Sequence, residues 1–465
     1  MEPRQRNRTL AVLFVGVLMG ALDIAIVGPA LPAIQAEFGL DSRAASWIFS
    51  SYVLANLIGT PLMAKLSDLF GRRAIYVLDV SVFAAGSLVV ALSHGTGLVV
   101  LLLAGRAIQG FGAGGIFPVA SAVIGDTFPP EKRGGALGLI GAVFGLAFII
   151  GPVIGGLLLG LGWQWLFLIN LPIAAVVAVL AWRLLPHTPV PGATGFDWPG
   201  MIALATALGT LAYGLGAIDT ARFWASLTGV GVWPWLLASV VAWIALVLVE
   251  RNAANPVFPT RLFRRRQLAV GYALTAGAGL GEASLVFMPL LAVAALGVAP
   301  SVASYLLMPV VLAMSVGSPL AGRLLDRLGS KTVILGGVAV MTVGMFALGA
   351  TSGSLAMFIV SGALIGLGLS ALLGAPIRYV TLNETTAVER SAAQGLVATF
   401  TSMGQLLGSA VVGAVAASGV TPSAGYNSAF TMIGVLGVVL LGTATLLKSR
   451  AAEVRPAQAG EVSHA

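Results

Sequence analysis

Cysteine is absent from this 465-residue chain, and histidine occurs three times. Without cysteine the protein cannot form disulfides, thiolate metal sites or a cysteine nucleophile. His94, His187 and His464 fall in predicted loops or in the tail, so they provide neither a metal cluster nor a proton relay inside a membrane. The sequence also lacks a P-loop and a serine–histidine–aspartate set at one depth. We therefore predict that the protein is not an enzyme and needs no metal or cofactor.

Charge is equally scarce. The chain has 25 basic and 17 acidic residues, which make up 9% of its length, whereas hydrophobic residues make up 58%. Typical soluble domains carry about 25% charged residues. Because so few charges cannot cover a water-facing globule, the apolar side chains must face lipid. The 60 glycines suit membrane helices that pack closely. The composition thus predicts an all-α integral membrane protein surrounded by membrane lipids.

Charges, polar turns and clusters of proline and glycine divide the chain into fourteen apolar stretches. Each is long enough to cross a bilayer as a helix, which takes about 20 residues. The predicted spans are 9–33, 44–64, 74–93, 98–121, 134–158, 163–185, 198–218, 233–250, 267–291, 300–320, 332–351, 354–378, 391–416 and 428–447.

The basic residues predict the orientation of these spans. With the N-terminus placed in the cytoplasm, 22 of the 25 basic residues fall in cytoplasmic segments. Arg43 and Arg222 fall outside, and Arg106 lies within a span. This asymmetry follows the positive-inside rule and predicts that both chain ends are cytoplasmic. The net charge of +8 therefore reflects membrane topology, and we expect no nucleic-acid partner.

One short segment occurs twice. AKLSDLFGRR at 64–73 and GRLLDRLGSK at 322–331 share a basic–Leu–x–Asp pattern followed by glycine and a basic residue. The second copy comes eight spans after the first, which two six-helix repeats separated by an extra helix pair would explain. We therefore predict an N-terminal bundle at 1–185, a linker with two extra helices at 186–251, a C-terminal bundle at 252–450 and a disordered cytoplasmic tail at 451–465.

The two copies are 258 residues apart, and this offset also relates two deeply placed carboxylates. It carries Asp23 in the first span to a position next to Glu282 in the ninth. Arg106 in the fourth span corresponds to Ala363, so the buried base belongs to one half only. Repeats that face each other across a site near the midplane are the architecture of alternating-access transporters.

Six segments, each at a matching span, carry a family resemblance. They are ALDIAIVGPALPAI (21–34), AKLSDLFGRR (64–73), LLLAGRAIQGFGAG (101–114), GAVFGLAFIIGPVIGG (141–156), WQWLFLINLPI (163–173) and NPVFPTRLF (255–263). Together they resemble the major facilitator superfamily, specifically its fourteen-helix drug:proton antiporter branch. The sequence departs from that branch at Gly28, where asparagine is common, and at Ala64, where glycine is usual.

The resemblance implies a proton-coupled exporter of small amphipathic or cationic compounds. Such a protein works by alternating access as a monomer in the cell membrane, and the proton motive force drives it. The same scaffold would suit an exporter of lipids, siderophores or a dedicated metabolite. A substrate sensor that does not transport is the other alternative, although a sensor has no need of intramembrane charge.

Asp23 and Arg106 are the first candidates for proton coupling. At 1.5 Å per residue, Asp23 lies about 15 Å and Arg106 about 12 Å below the outer face of the membrane. An unpaired charge there costs at least about 2.5–3.5 kcal/mol, and the matched depths allow an ion pair. Burial raises the pKa of a carboxylate, whereas a neighbouring arginine lowers it. A carboxylate under both influences can bind and release a proton. The alternative is a permanent pair that only packs the bundle.

Glu282 is the third candidate for proton coupling and lies at a similar depth in the other half. It has no evident basic partner, so we expect it to be protonated at rest. It would take up the coupling proton or bind the positive charge of a substrate. Alternatively, it faces a watery vestibule or hydrogen-bonds as a neutral acid. Asp79, near the start of the third span, is expected to contact the loop arginines.

The repeated loop segment is a candidate for gating on the cytoplasmic side. Asp68 precedes the third span, where exposed helix N–H groups favour a carboxylate, and Gly71 permits a tight turn. The alternative is topological charge alone. The predicted gating motif consists of Asp68, Gly71, Arg72, Arg73, Asp326 and Gly329.

The fifth span carries the segment that resembles the antiporter motif of the branch. Its glycines permit close contact with another helix, and its proline bends the helix. The alternative is packing against lipid. The motif residues are Gly145, Gly151, Pro152, Gly155 and Gly156.

Overall fold

A computed structural model describes residues 3–185, 197–253, 260–385 and 390–450. Within these ranges the regular elements are helices. The first part of the chain forms α1 (Pro3–Phe38), α2 (Ser42–Phe70), α3 (Arg72–Leu92), α4 (Val99–Thr127), α5 (Pro130–Leu158), α6 (Gln164–Leu168) and α7 (Asn170–Leu184). The middle part forms α8 (Trp198–Gly216), α9 (Phe223–Leu227) and α10 (Trp233–Asn252), with short 3₁₀ turns at Thr220–Arg222 and Thr260–Arg264.

The last part of the chain contains nine α-helices within the described ranges. They are α11 (Arg266–Leu285), α12 (Met288–Leu296), α13 (Pro300–Tyr305), α14 (Met308–Leu328), α15 (Ser330–Thr351), α16 (Leu355–Leu373), α17 (Ala375–Asn383), α18 (Arg390–Ala417) and α19 (Pro422–Ala444).

Most of the predicted spans are helices of membrane-crossing length. Twelve helical segments are long and apolar enough to cross a bilayer, and α11 with α12, which meet at a bend of 42°, make a thirteenth. α5 coincides with the predicted span 134–158, and its described apolar part is Leu146–Leu158. The prediction of an all-α, multi-pass membrane protein is confirmed. The count of fourteen and the cytoplasmic placement of the chain ends stay predictions, and the tail at 451–465 lies outside the described residues.

The helices depart from the predicted boundaries in one way that affects the site. α2 continues to Phe70, and Gly71 alone separates it from α3. Asp68 therefore lies in the last turn of α2, and its predicted place at the N-terminus of α3 is wrong. Gly71 has a φ of 92°, which glycine adopts without steric cost. A single residue can therefore reverse the chain between two long helices.

The helices pack as two groups with a smaller pair beside them. In the first group, α2 and α3 pack against α4, and α1 packs against α5 and α7. In the second, α11 packs against α18, while α15 packs against α16 and α19. α8 packs against α10, and it also contacts one helix of each group, α2 and α18. The exact division of the chain into domains stays a prediction.

Side-chain contacts join the two groups at the end of the bundle where α1 finishes. We call this the outer end, following the predicted topology. Ser50 on α2 and Ser409 on α18 approach to 2.5 Å between their hydroxyl oxygens. Ser42 donates a hydrogen bond to the Tyr426 hydroxyl over 3.0 Å. We call these four residues the outer seam, which joins the two groups at this end.

Candidate functional site

Asp23 on α1 and Arg106 on α4 form an ion pair within the first group of helices. The distance from Arg106 Nη1 to Asp23 Oδ2 is 2.6 Å, and both side chains are 0% exposed. The two helices run in opposite directions, so the matched depths in the sequence bring the two charges to one level. The structure thus places these two predicted residues together, and their role in proton coupling is taken up below.

Three polar side chains surround this pair. Gln109, almost one turn beyond Arg106 on α4, accepts a 2.7 Å hydrogen bond from Arg106 Nη1 and donates a 2.9 Å hydrogen bond to Asp23 Oδ1. It also donates to the hydroxyl of Ser87 on α3 over 2.7 Å. Asn170 on α7 donates to Asp23 Oδ1 over 3.2 Å. We call Asp23, Arg106, Gln109, Ser87 and Asn170 the charge network, which ties four helices together.

Arg106 also has partners that do not depend on Asp23. Its Nε donates a 3.1 Å hydrogen bond to the carbonyl of Ile48 on α2. Its guanidinium lies 4.4 Å from the ring centroid of Tyr52 and 5.7 Å from that of Phe167. The faces of aromatic rings attract cations. Arg106 can therefore remain charged and held in place when Asp23 takes up a proton.

Glu282 on α11 has a neutral partner. Gln405 on α18 donates a 2.9 Å hydrogen bond to Glu282 Oε2, and both residues are half-buried. Within the described residues, no basic side chain lies within ion-pair distance of Glu282. Each half therefore holds a carboxylate that accepts a hydrogen bond from a glutamine, but only the first half adds an arginine.

The first copy of the gating motif forms a compact cluster at the inner end of the bundle. Arg72 forms an ion pair with Asp68, and its Nε lies 3.0 Å from Asp126 Oδ2 at the end of α4. Arg72 Nη1 also donates to the Ser67 hydroxyl over 2.7 Å. Arg73 lies 4.8 Å from the ring centroid of Trp182 on α7. The motif thus ties the α2–α3 corner to α4 and α7.

The second copy has different contacts. Gly329 separates α14 from α15 with a φ of 81°, as Gly71 does in the first copy. The Arg327 carbonyl accepts a hydrogen bond from Arg450, and Lys331 Nζ donates to the Thr445 carbonyl over 2.5 Å. The side chain of Asp326 lies outside the described residues. This corner is tied to the chain that follows α19.

The described part of the antiporter motif lies at the junction of the two groups. Gly151, Gly155 and Gly156 are buried, so they do not face lipid. A Cβ atom at Gly155 would lie 2.6 Å from Pro29 on α1 and 3.0 Å from the hydroxyl of Ser304 on α13. α5 continues through Pro152, whose carbonyl accepts a 2.7 Å hydrogen bond from Ser304. The surroundings of Gly145 lie outside the described part.

Asp79 is placed differently from our expectation. It is 0% exposed in the middle of the first group, and neither carboxylate oxygen has a hydrogen-bond partner in the described structure. The loop arginines that we expected it to contact are held elsewhere, Arg72 by Asp68 and Asp126 and Arg73 by Trp182. The prediction for Asp79 is therefore wrong, because the side chain points into the α3–α4 packing rather than toward the loop.

Several site residues were missed by sequence reasoning. Gln109 could have been found, because residues three apart on a helix lie on one face and it follows Arg106 at that spacing. Asn170 lies in one of the six family-like segments, but a single sequence does not show which polar residues of a segment point inward. Asp126 and Gln405 belong to helices whose rotation about the axis only the packing fixes.

The gating cluster leads to a first prediction. Asp68→Asn should slow turnover by about tenfold, equivalent to about 1.4 kcal/mol, while leaving substrate affinity within about twofold. The reason is that Asp68 pairs with Arg72 at the inner end, far from the charge network, and a part-exposed ion pair contributes only about 0–1 kcal/mol to stability. Substrate binding and transport by the purified, reconstituted protein would measure both. Equal loss of binding and turnover would contradict a gating role.

A family model described as Major Facilitator Superfamily matches residues 13–288 and 268–464. The multidrug transporter protein MdtP of Bacillus subtilis is 30% identical over 427 residues, which cover 89% of this chain and 76% of the relative. Multidrug resistance protein Stp of Mycobacterium tuberculosis is 30% identical over 421 residues, with the same 89% and 76% coverage.

Solved structures share the fold. The nucleoside transporter NupG superposes with a TM-score of 0.64 at 14% identity, covering 94% of this chain and 98% of that chain. The xylose transporter XylE from E. coli, in a partially occluded inward open conformation, gives a TM-score of 0.63 at 15% identity, with 93% and 97% covered. At these identities the likeness concerns the fold alone. The family model, by contrast, matches most of the chain, and the protein belongs to the major facilitator superfamily of membrane transporters.

Proposed function

We propose that the protein is a proton-coupled exporter of amphipathic compounds, many of them cationic, in the plasma membrane. The observation that carries this proposal is the charge network, in which a fully buried Asp23 pairs with Arg106. Ionisable residues inside a membrane are costly and mark ion and substrate pathways. The multidrug transporters among the relatives support amphipathic compounds as the substrate class.

The contacts of Arg106 suggest how a proton would act. When Asp23 binds a proton, its attraction to Arg106 weakens, while the Ile48 carbonyl and the Tyr52 ring continue to hold the arginine. α1 and α4 are then free to separate, and they carry the two members of the pair. Gln109 and Asn170 donate to Asp23 Oδ1, so the network holds this carboxylate in place until the helices move.

The proton motive force is large enough for this work. Exporting a neutral compound against a 100-fold gradient requires about 2.7 kcal/mol. One proton that moves through 100 mV supplies about 2.3 kcal/mol, to which a pH gradient adds. A single coupled proton therefore nearly suffices, and no bound cofactor is required.

The arrangement of the two helix groups suggests alternating access. The outer seam and the contacts of the antiporter motif close the outer end, and the gating cluster lies at the inner end. We propose that the bundles at 1–185 and 252–450 rock about a central site. In this proposal α8 and α10 lie beside the two bundles, since α8 touches α2 and α18 and α10 packs against α8.

Transport in energised inside-out membrane vesicles tests the proposal. A cationic dye should accumulate when the proton motive force is present, and an uncoupler should abolish the accumulation. Accumulation that resists the uncoupler would overturn proton coupling. Binding without accumulation would favour the sensor. Accumulation of a lipid, a siderophore or one metabolite, but of no dye, would favour the dedicated exporters.

Glu282 leads to a second prediction. Glu282→Gln should reduce export of a cationic compound by tenfold or more, about 1.4 kcal/mol, and leave a neutral compound within about twofold. The reason is that Glu282 has a neutral partner, Gln405, so no basic side chain in the described structure competes with a cationic substrate for its carboxylate. Parallel transport of one cationic and one neutral compound would measure this. Gln405→Glu is the matched variant that adds an acid at the same place, and equal losses for both compounds with Glu282→Gln would contradict the assignment.

A further inference from the structure

Asp79 is a buried acid that the proposed mechanism does not use. It lies on α3, seven residues after Arg72, and is 0% exposed. A Cβ atom at Gly115 on α4 would fall on its carboxylate, and a Cβ at Gly112 would lie 2.6 Å from its backbone carbonyl. α4 therefore approaches Asp79 closely because glycines occupy these two positions. The carboxylate occupies a site that the sequence leaves open for it.

Within the described part of the chain, no counter-charge pairs with Asp79. Its neighbour one turn earlier on α3 is Tyr76, whose hydroxyl faces Gly16 on α1 and has no hydrogen-bond partner either. Neither oxygen of Asp79 accepts a hydrogen bond within the described residues. Ionised, the side chain would be an unpaired charge in the membrane, which costs at least about 2.5–3.5 kcal/mol. The protonated, neutral acid avoids this cost.

The ionisable groups on the helices that surround α3 are held elsewhere. On α4, Arg106 lies more than two turns to the outer side and belongs to the charge network, and Asp126 lies three turns to the inner side and pairs with Arg72. On α1, Asp23 is held by Arg106. The ionisable side chains of α2 and α7 do not hydrogen-bond Asp79; they are Arg43, Tyr52, Lys65, Asp68 and Arg183.

A bound proton suits this place better than any other cation. Na⁺, Mg²⁺ and Ca²⁺ need several oxygen ligands around them, and one carboxylate beside two glycines does not provide these. A buried acid without partners also destabilises the fold, by about 1–3 kcal/mol for an unsatisfied polar group. Such a group in a native structure requires an explanation, and reversible proton binding is one that the geometry supports.

We propose that Asp79 is a second proton-binding site of the transport cycle, on the inner side of the charge network. This inference rests on the proposed proton coupling. α4 carries Arg106 and forms the wall of the Asp79 site, so a movement of α4 that opens the charge network would also change the surroundings of Asp79. A proton from the outer phase would bind the Asp79 carboxylate, and the same proton would leave to the cytoplasm. Two protons would then enter for each neutral molecule exported.

The test uses proteoliposomes with a fixed gradient of a neutral substrate and equal pH on both sides. It measures the balancing potential, which is the membrane potential at which net transport of the substrate stops. Each coupled proton contributes in proportion to the potential, so Asp79→Asn should double the balancing potential relative to wild type. Asparagine matches the size of the neutral acid, and we expect the variant to fold. Asp219→Asn, which changes an acid in the turn before α9, is the matched control and should balance at the wild-type potential.

The outcomes separate this inference from the proposed function. A wild-type flux that does not respond to potential would overturn proton coupling itself. A responsive wild type with an unchanged balancing potential in Asp79→Asn would overturn the role of Asp79 alone. Should Asp79→Asn not fold, the number of protons coupled to each neutral molecule in the Glu282→Gln variant decides. Two protons there support Asp79, and one overturns its role.

Discussion

Asp23→Asn should abolish accumulation of every exported compound against its gradient, while exchange of substrate down a gradient continues within about tenfold of wild type. Asparagine cannot gain or lose the proton, and proton exchange at Asp79 depends on the opening of the charge network that this proton triggers, so the cycle would no longer be tied to the proton motive force. It can still accept a hydrogen bond from Arg106 through its amide oxygen. Removing one member of a buried ion pair costs about 3–5 kcal/mol, and the Ile48 and Tyr52 contacts of Arg106 should reduce that cost.

The measurement is uphill transport and downhill exchange of one cationic and one neutral compound in the same vesicles. Asp219→Asn is again the control, because its side chain caps a short turn outside the charge network. Arg106→Lys should retain the charge but lose the paired contacts to Asp23 and Gln109, and we expect an intermediate loss. If Asp23→Asn still concentrates either compound, Asp23 is not the carrier of the coupling proton.

The contact between Asp23 and Arg106 shows how far the sequence could lead. Both residues are charges within apolar spans, and helix rise alone gave them similar depths. The pairing of the two charges follows, since either charge without a partner would have a higher free energy in a membrane. The other members of the network are neutral, and the cost of burying a serine or an amide does not single them out in a sequence. Only the packing of α3, α4 and α7 shows that they converge on Asp23.

Asp68 and Asp79 show where sequence reasoning failed. For Asp68, the apolar span was predicted to stop at residue 64, but the helix continues through the polar segment to Phe70, because helical hydrogen bonding does not end where hydrophobicity ends. For Asp79, proximity in the sequence to Arg72 and Arg73 suggested a contact. Successive side chains of a helix are about 100° apart around its axis. At position 79 this places the side chain on the face of α3 that packs against α4.

The closed outer end provides the most direct test of alternating access. Ser50 and Ser409 belong to the two different helix groups, and their hydroxyl oxygens are 2.5 Å apart. Sulfur atoms at these positions would be close to the disulfide length of about 2.05 Å. The chain contains no cysteine, so a pair introduced here would be the only one available for oxidation.

Oxidation of the double variant Ser50→Cys/Ser409→Cys should therefore reduce transport to background, and a reducing agent should restore it. The bond would hold the outer end closed, so the substrate could not leave on that side. The matched control is Ser352→Cys/Asn427→Cys, which joins the residue after α15 to α19 within one group, where the Ser352 hydroxyl lies 2.7 Å from Asn427 Oδ1. That cross-link should leave transport close to wild type, because α15 and α19 lie in one group and the proposed cycle requires no movement between them. Full transport by completely cross-linked Ser50→Cys/Ser409→Cys protein would show that the outer seam does not open during the cycle.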